Sequence, residues 1–396
     1  MSAVTTKSQE IQEDFSLVLG GPLFQMFLRA RLSGTALELL QRRVIVITTL
    51  AWLPLLVLSV WEGRASGTSV SLPFIYDVDA HVRFLISLPL MIVAEWSVHR
   101  RMRNVVRQFL ERGLVPDNAR WQFDQAVASA KRLRNSIVAE LLLIAFVYSV
   151  GLFLIWRRYV ALDVSSWYSD GQLHPSIAGW WFVLVSLPFF QFLLFRWYYR
   201  LFVWARFLWQ VSRIELNIFP THPDRSGGLG FLSNVSYAFM LLLLAQGALL
   251  AGMMADRILY AGAQLTQFKI DILGFVAFVV FIVLAPLLVF SPQLERVKRA
   301  GGRAYGALAQ RYVREFDTKW IRGGAHTDES LLGSGDIQSL ADLGNSYAVI
   351  KEMRWIPFNL RTVLQLAVTT LLPVLPLTLT MIPLDTLVDR LLHTLF

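Results

Sequence analysis

Apolar residues gather along this chain in runs of about 20, the length a helix needs to cross roughly 30 Å of hydrocarbon. The runs cover residues 44–61, 82–98, 137–156, 180–199, 231–255, 272–290 and 362–382, and basic or turn-forming segments separate them. This pattern predicts an all-α, polytopic integral membrane helical bundle of about seven transmembrane helices with helical cytoplasmic extensions. In that reading residues 1–43 form a cytoplasmic N-terminal segment and 44–290 a six-helix membrane domain with cytoplasmic loops 99–136 and 200–230. Residues 291–358 form a cytoplasmic helical segment, and 359–396 the last transmembrane helix and its tail. Pro373, Pro376 and Pro383 leave a second option for that last run, a re-entrant or kinked segment.

Shorter periodicities fill in the rest. Residues 22–32 are apolar and end in Arg29 and Arg31, which suits a short amphipathic helix either on the inner leaflet or packed on the bundle. From Leu294 to Phe316 apolar positions recur near the helical period. After a Gly/Ser-rich loop, Asp336 suits an N-cap for a second amphipathic helix carrying Ile337, Leu340, Leu343, Tyr347 and Ile350.

Each of the first three predicted hairpins carries a proline midway along its second helix, at Pro89, Pro188 and Pro286, 99 and then 98 residues apart. A mid-helix proline frees a carbonyl and bends the helix. The spacing suggests one αα-hairpin used three times, plus a seventh helix.

Charge sets the orientation. Of 37 Lys and Arg, 30 fall in segments 1–43, 99–136, 196–230 and 291–361. Basic residues stay on the cytoplasmic side, so the expectation is a cell inner (cytoplasmic) membrane protein with its N-terminus cytoplasmic. The net charge of +9 then reports contact with anionic lipid head groups on that side, not nucleic acid, for which no module or motif is present. No secretory signal pattern precedes the first run.

Candidate chemistry is sparse. The chain has no cysteine, which removes thiol nucleophiles, disulfides and Cys-ligated metals. None of the six histidines has a second at metal-ligand spacing, and no G-x-S-x-G elbow occurs. No catalytic set, metal site or cofactor is therefore assigned. The segment 219–230, FPTHPDRSGGLG, is the most distinctive loop. His222, Asp224, Arg225, Gly227 and Gly228 form a candidate anion or phosphate site there, because glycine amides and a guanidinium can face an anion. His222 with Asp224 as a metal pair is weaker, and a rigid connector in which Asp224 and Arg225 cap neighbouring helices is the plainest alternative. Glu95 and Glu140 are carboxylates about one turn inside predicted spans, where a charge is costly unless paired or hydrated, and Arg196 lies at the cytoplasmic end of the fourth. Either glutamate suits an ion pair with Arg196 or Arg100, a proton or cation site, or an interfacial group that snorkels. Asp77, Asp79, Asp163 and Asp170 read as solvated rims of the outer loops, and Gln191, Gln246 and Gln365 as bridges between helices.

Three functions remain. The first is a channel or transporter of unknown substrate, working as a homo-oligomer because one bundle has few polar groups to line a path. The second is a membrane scaffold or sensor with a cytoplasmic protein partner, held in geometry by the 219–230 loop. The third is a membrane-embedded enzyme acting on a phosphate-bearing lipid or nucleotide.

Overall fold

A computed structural model describes residues 15–30, 39–151, 165–170, 174–324, 326, 329–331 and 333–381. Among these the protein is all helical, with two isolated β-bridges, Leu72 to Ser166 and Ser169 to Pro175, and no strand. The helices are α1 (Pro22–Arg29), α2 (Leu40–Trp61), α3 (78–111), α4 (Asp117–Arg134), α5 (Ile137–Gly151) and α6 (Ile177–Val211). Then follow α7 (Gly230–Tyr260), α8 (Leu265–Ile321), α9 (Gly335–Glu352) and α10 (Leu360–Thr380).

Five of these, α2, α6, α7, α8 and α10, are long and apolar enough to cross a membrane, and a sixth span arises if α4 and α5, bent by 45°, count as one. The helix α3 holds the expected second run but stands outside that set, and it carries Arg83 and Glu95 inside its apolar stretch. The last run is helical throughout its described length, tightening into a 3-10 helix over Leu372–Met381 where Pro373 and Pro376 lie. The outer end of the third expected run, the Ile382 end of the last one, Pro383, Asp163 and residues 31–32 lie outside the described residues.

At the centre stands α7, packed between α3 and α10 and against α8. Gly247 lets it approach: a Cβ there would fall 1.9 Å from the Thr370 carbonyl oxygen of α10. Without a hydrophobic force between helices in lipid, such backbone proximity is what dispersion contacts need. Large apolar side chains stand exposed along the runs, as Leu273 and Phe281 on α8 and Val138 and Leu142 on α5.

The prolines do not kink three helices alike. Before Pro89 and Pro188 the helix widens into π turns, Val82–Ser87 and Phe182–Ser186. Proline lacks an N–H and clashes with the carbonyl four residues back, and a wider turn relieves both. The carbonyl so freed at Leu184 accepts the Tyr148 hydroxyl at 3.0 Å. In both helices the serine two residues before the proline donates to a neighbouring helix, Ser87 to Ala245 O at 2.9 Å and Ser186 to Ala51 O at 2.7 Å. At Pro286 the helix instead tightens into a 3-10 stretch, Ala285–Phe290, and Leu284 stands where the other two helices carry that serine.

The amphipathic N-terminal helix α1 packs on the bundle, with Leu23, Phe24 and Phe27 buried. The cap of α9 is Ser334, not Asp336. Asp336 sits in the first turn, where Lys319 Nζ and Trp320 Nε1 each donate to its carboxylate at 2.9 Å.

Candidate functional site

The strongest concentration of chemistry is a buried charge cluster at the arginine-rich end of the bundle. Glu95 on α3 lies at its centre. Its carboxylate meets Arg43 of α2 at 2.7 Å, Arg200 of α6 at 2.7 Å and Arg196 of α6 at 3.9 Å. Arg196 reaches Glu140 on the first turn of α5 at 3.2 Å. Four separate helices supply these groups, and none is more than 7 % exposed. Arg196 and Arg200, four residues apart, share one face of α6 and so address the carboxylates together.

The N-terminal segment is fastened onto this cluster. Glu140 accepts the Leu23 amide at 2.9 Å, so its carboxylate serves the N-terminus of α1. Arg196 donates to Gly20 O at 3.3 Å, and Asn135 Oδ1 accepts the Gly21 amide at 3.1 Å. Gly21 has φ 89°, and a Cβ there would stand 2.8 Å from Glu140 Oε1. Arg134 holds Ser16 O at 2.6 Å, and His99 Nδ1 lies 2.8 Å from Ser16 Oγ.

Glu95, Glu140 and Arg196, singled out from sequence, therefore belong to one constellation. Arg43 and Arg200, equal members of it, were not singled out. The i, i+4 spacing of the two α6 arginines was the available signal, whereas nothing local in the sequence joins Arg43 to Glu95.

The 219–230 loop is a second, separate feature. Asp224 organises it: Oδ1 accepts the amides of Ser226 at 2.8 Å and Gly228 at 3.1 Å, and Oδ2 accepts that of Gly230 at 2.8 Å. His222 Nδ1 stands 2.9 Å from Asp224 Oδ1. Burial raises the Asp224 carboxyl, but the amides of Gly228, Ser226 and Gly230 and the His222 ring outweigh it and hold it below the usual carboxylate range. The Gly228 amide, expected to face an external anion, thus already faces the chain's own carboxylate. Gly227, at φ 64°, turns the chain where a Cβ would lie 2.2 Å from Ile218 Cγ2. The guanidinium of Arg225 points away to Glu352, at 3.0 Å on the surface.

At the opposite end, Asp77 and Asp79 are not solvated rims. Asp77 is buried, caps the Ala80 amide at 2.6 Å and accepts Trp167 Nε1 at 2.7 Å. Asp79 is paired with Arg83. Asp256 of α7, which the sequence reading passed over, accepts the Val78 and Asp79 amides at 2.9 and 3.1 Å and so caps α3. Asp170 does lie at the surface, with His174. Among the glutamines, Gln191 bridges to Gly151 O and Gln365 accepts the Tyr237 hydroxyl.

No group of three or more His, Asp or Glu among the described residues has the geometry to hold a metal ion. No family model, no curated protein and no solved structure matches this chain.

Proposed function

We propose that this protein is a scaffold or sensor of the cell inner membrane, with its arginine-rich end in the cytoplasm, that presents a rigid helical arm to a cytoplasmic protein partner. The observation that carries this reading is the length of α8. It runs helically for 57 residues, from Leu265 to Ile321. At 1.5 Å per residue that is about 85 Å, against a hydrocarbon core of about 30 Å. About 55 Å of helix therefore stands outside the hydrocarbon core.

The arm is doubled and anchored. Along its length α9 folds back on α8, with the Tyr312 hydroxyl donating to Asp336 O at 3.1 Å. At its base Gln293 donates to Ser212 O and Ile214 O at 2.8 and 2.7 Å, tying α8 to the end of α6. Arg354, just after α9, donates through its backbone to Arg225 O at 2.7 Å and through its guanidinium to Asp224 O at 2.9 Å. The 219–230 loop thus acts as a bracket between the arm and the membrane helices. Leu308 and Val313 on α8 and Ile337 on α9 stand exposed, apolar positions on the doubled helices that a partner would cover. The transport reading has weaker support, since Glu95, Glu140 and Arg196 are engaged with one another and with α1.

The test is site-specific photo-crosslinking in the native host, with the probe at Val313 or Ile337 of the full chain. The expected result is one discrete protein adduct that disappears in Leu308→Asp and does not form from Leu273, an exposed position within the apolar run of α8. Absence of any adduct from the arm, together with solute or ion flux through reconstituted protein, would overturn the proposal in favour of transport.

A further inference from the structure

Among the described residues the buried cluster does not balance its own charge. Arg43, Arg196 and Arg200 bring three positive charges, and Glu95 and Glu140 bring two negative ones. A carboxylate-rich cluster can relieve such an imbalance by taking up a proton, but arginine does not give one up in proteins. Protonating either glutamate would widen the imbalance. An excess guanidinium removed from water at a membrane boundary therefore calls for an anion.

There is a place for one. Beside Arg196 and Arg200 lies a small cavity of about 10 Å³, lined also by Arg134, Tyr199, Leu17 and Glu140. That is room for a single water-sized body. Glu140, the acidic group on its wall, is already engaged by the Leu23 amide and Arg196. The cavity adjoins the segment that the cluster fastens, since Leu17 lies between Ser16 and Gly20.

We infer that this cavity is an anion site, taking one halide ion or one phosphoryl oxygen of an anionic lipid head group, and that the bound anion completes the seat of the N-terminal segment. The two sources share one chemistry, a single charged atom against the α6 arginines, and differ in what must be supplied. The site is independent of whether the arm has a partner.

The experiment uses the full chain in lipid nanodiscs and reads the thermal unfolding midpoint. Chloride is exchanged for gluconate at constant ionic strength in phosphatidylcholine, and phosphatidylcholine is then exchanged for phosphatidylglycerol in gluconate. A halide site gives a midpoint that rises by about 2 °C for each tenfold increase in chloride above its Kd. A lipid site gives no chloride dependence but a higher midpoint in phosphatidylglycerol. In either case Leu17→Glu, which supplies a carboxylate to the cavity from within, abolishes the dependence. Chloride-35 line broadening on the unsubstituted protein reads the halide case without a variant. A midpoint indifferent to chloride and to head group, with no line broadening, overturns the inference. So does a dependence that persists unchanged in a folded Leu17→Glu protein.

Discussion

Arg354 and Asp224 are 130 residues apart in the chain, yet the guanidinium of one donates to the backbone carbonyl of the other at 2.9 Å. The same side chain reaches Ser226 Oγ at 3.2 Å, and Ser226 is fully buried. One arginine therefore joins the foot of the arm to the loop that leads into the central helix α7. The loop is stiffened from within by Asp224 and from outside by Arg354, which makes it a structural relay between the membrane helices and α9.

Arg354→Ala removes the side-chain bonds and leaves the backbone bond to Arg225 O. Hydrogen bonds from a charged group contribute about 1.5–3 kcal/mol each, so the arm should detach locally while the bundle persists. Hydrogen exchange should accelerate about tenfold or more at the foot of the arm, around Met353, with α2 and α6 unchanged. Uniform acceleration across the molecule would contradict a local bracket.

The Asp224 carboxyl titrates below its ordinary value in the folded protein. Its stabilising contribution is therefore complete above the unfolded value, about 3.9, and is lost as pH falls through the lower folded value. Protection of the Ser226, Gly228 and Gly230 amides should be flat from about pH 8 to pH 5 and collapse only below about pH 4. Asp224→Asn should show weak protection across the whole range, because an amide offers one acceptor oxygen where the carboxylate offers two.

Removing the central carboxylate should be far more damaging. In Glu95→Gln, Arg43 and Arg200 keep their burial and lose their shared counter-charge. Breaking a buried pair from one side costs about 3–5 kcal/mol. The yield of monodisperse protein should fall severely, and the unfolding midpoint with it. The double change Arg43→Met with Glu95→Gln should recover part of that loss, since it withdraws one of the stranded cations. Equal midpoints for Glu95→Gln and the unsubstituted protein would mean that water reaches the cluster freely.

How much of this was legible in advance follows from the range of each interaction. The apolar runs are local and cumulative, so the helices that can span were readable, as was the helical arm after Leu294. The register of Asp336 was misread because a local capping preference competes with Lys319 and Trp320, which only the folded hairpin brings near. Glu95, Glu140 and Arg196 stood out because charge inside an apolar run is locally anomalous. Arg43 did not, since it lies at the edge of a run among other basic residues, where orientation alone accounts for it. Asp77 and Asp79 were misread for the same reason: short loops look solvated until Trp167 and Asp256 are folded over them. The glycines of the 219–230 loop signalled a shaped backbone, but not that Asp224 would itself occupy the ring of amides.

The attachment of the N-terminal segment turns on Gly21. Its φ of 89° is a region where a side chain is strained, and a Cβ there would press on Glu140 Oε1 at 2.8 Å and on the Arg134 carbonyl at 3.2 Å. The first contact is with the carboxylate that holds both the Leu23 amide and Arg196. Relief by moving Glu140 would break those bonds, and relief by moving the segment would lift α1 from the bundle. The second course disturbs fewer buried charges, so it should prevail. Gly21→Ala should therefore cost more than the ~1 kcal/mol of an ordinary glycine replacement at an incompatible angle, and the cost should appear as detachment. Limited trypsin digestion should cut at Arg29 at least tenfold faster, while Arg43, 2 % exposed in the cluster, stays protected. Cleavage rates at both arginines that match the unsubstituted protein would show that the segment has another seat.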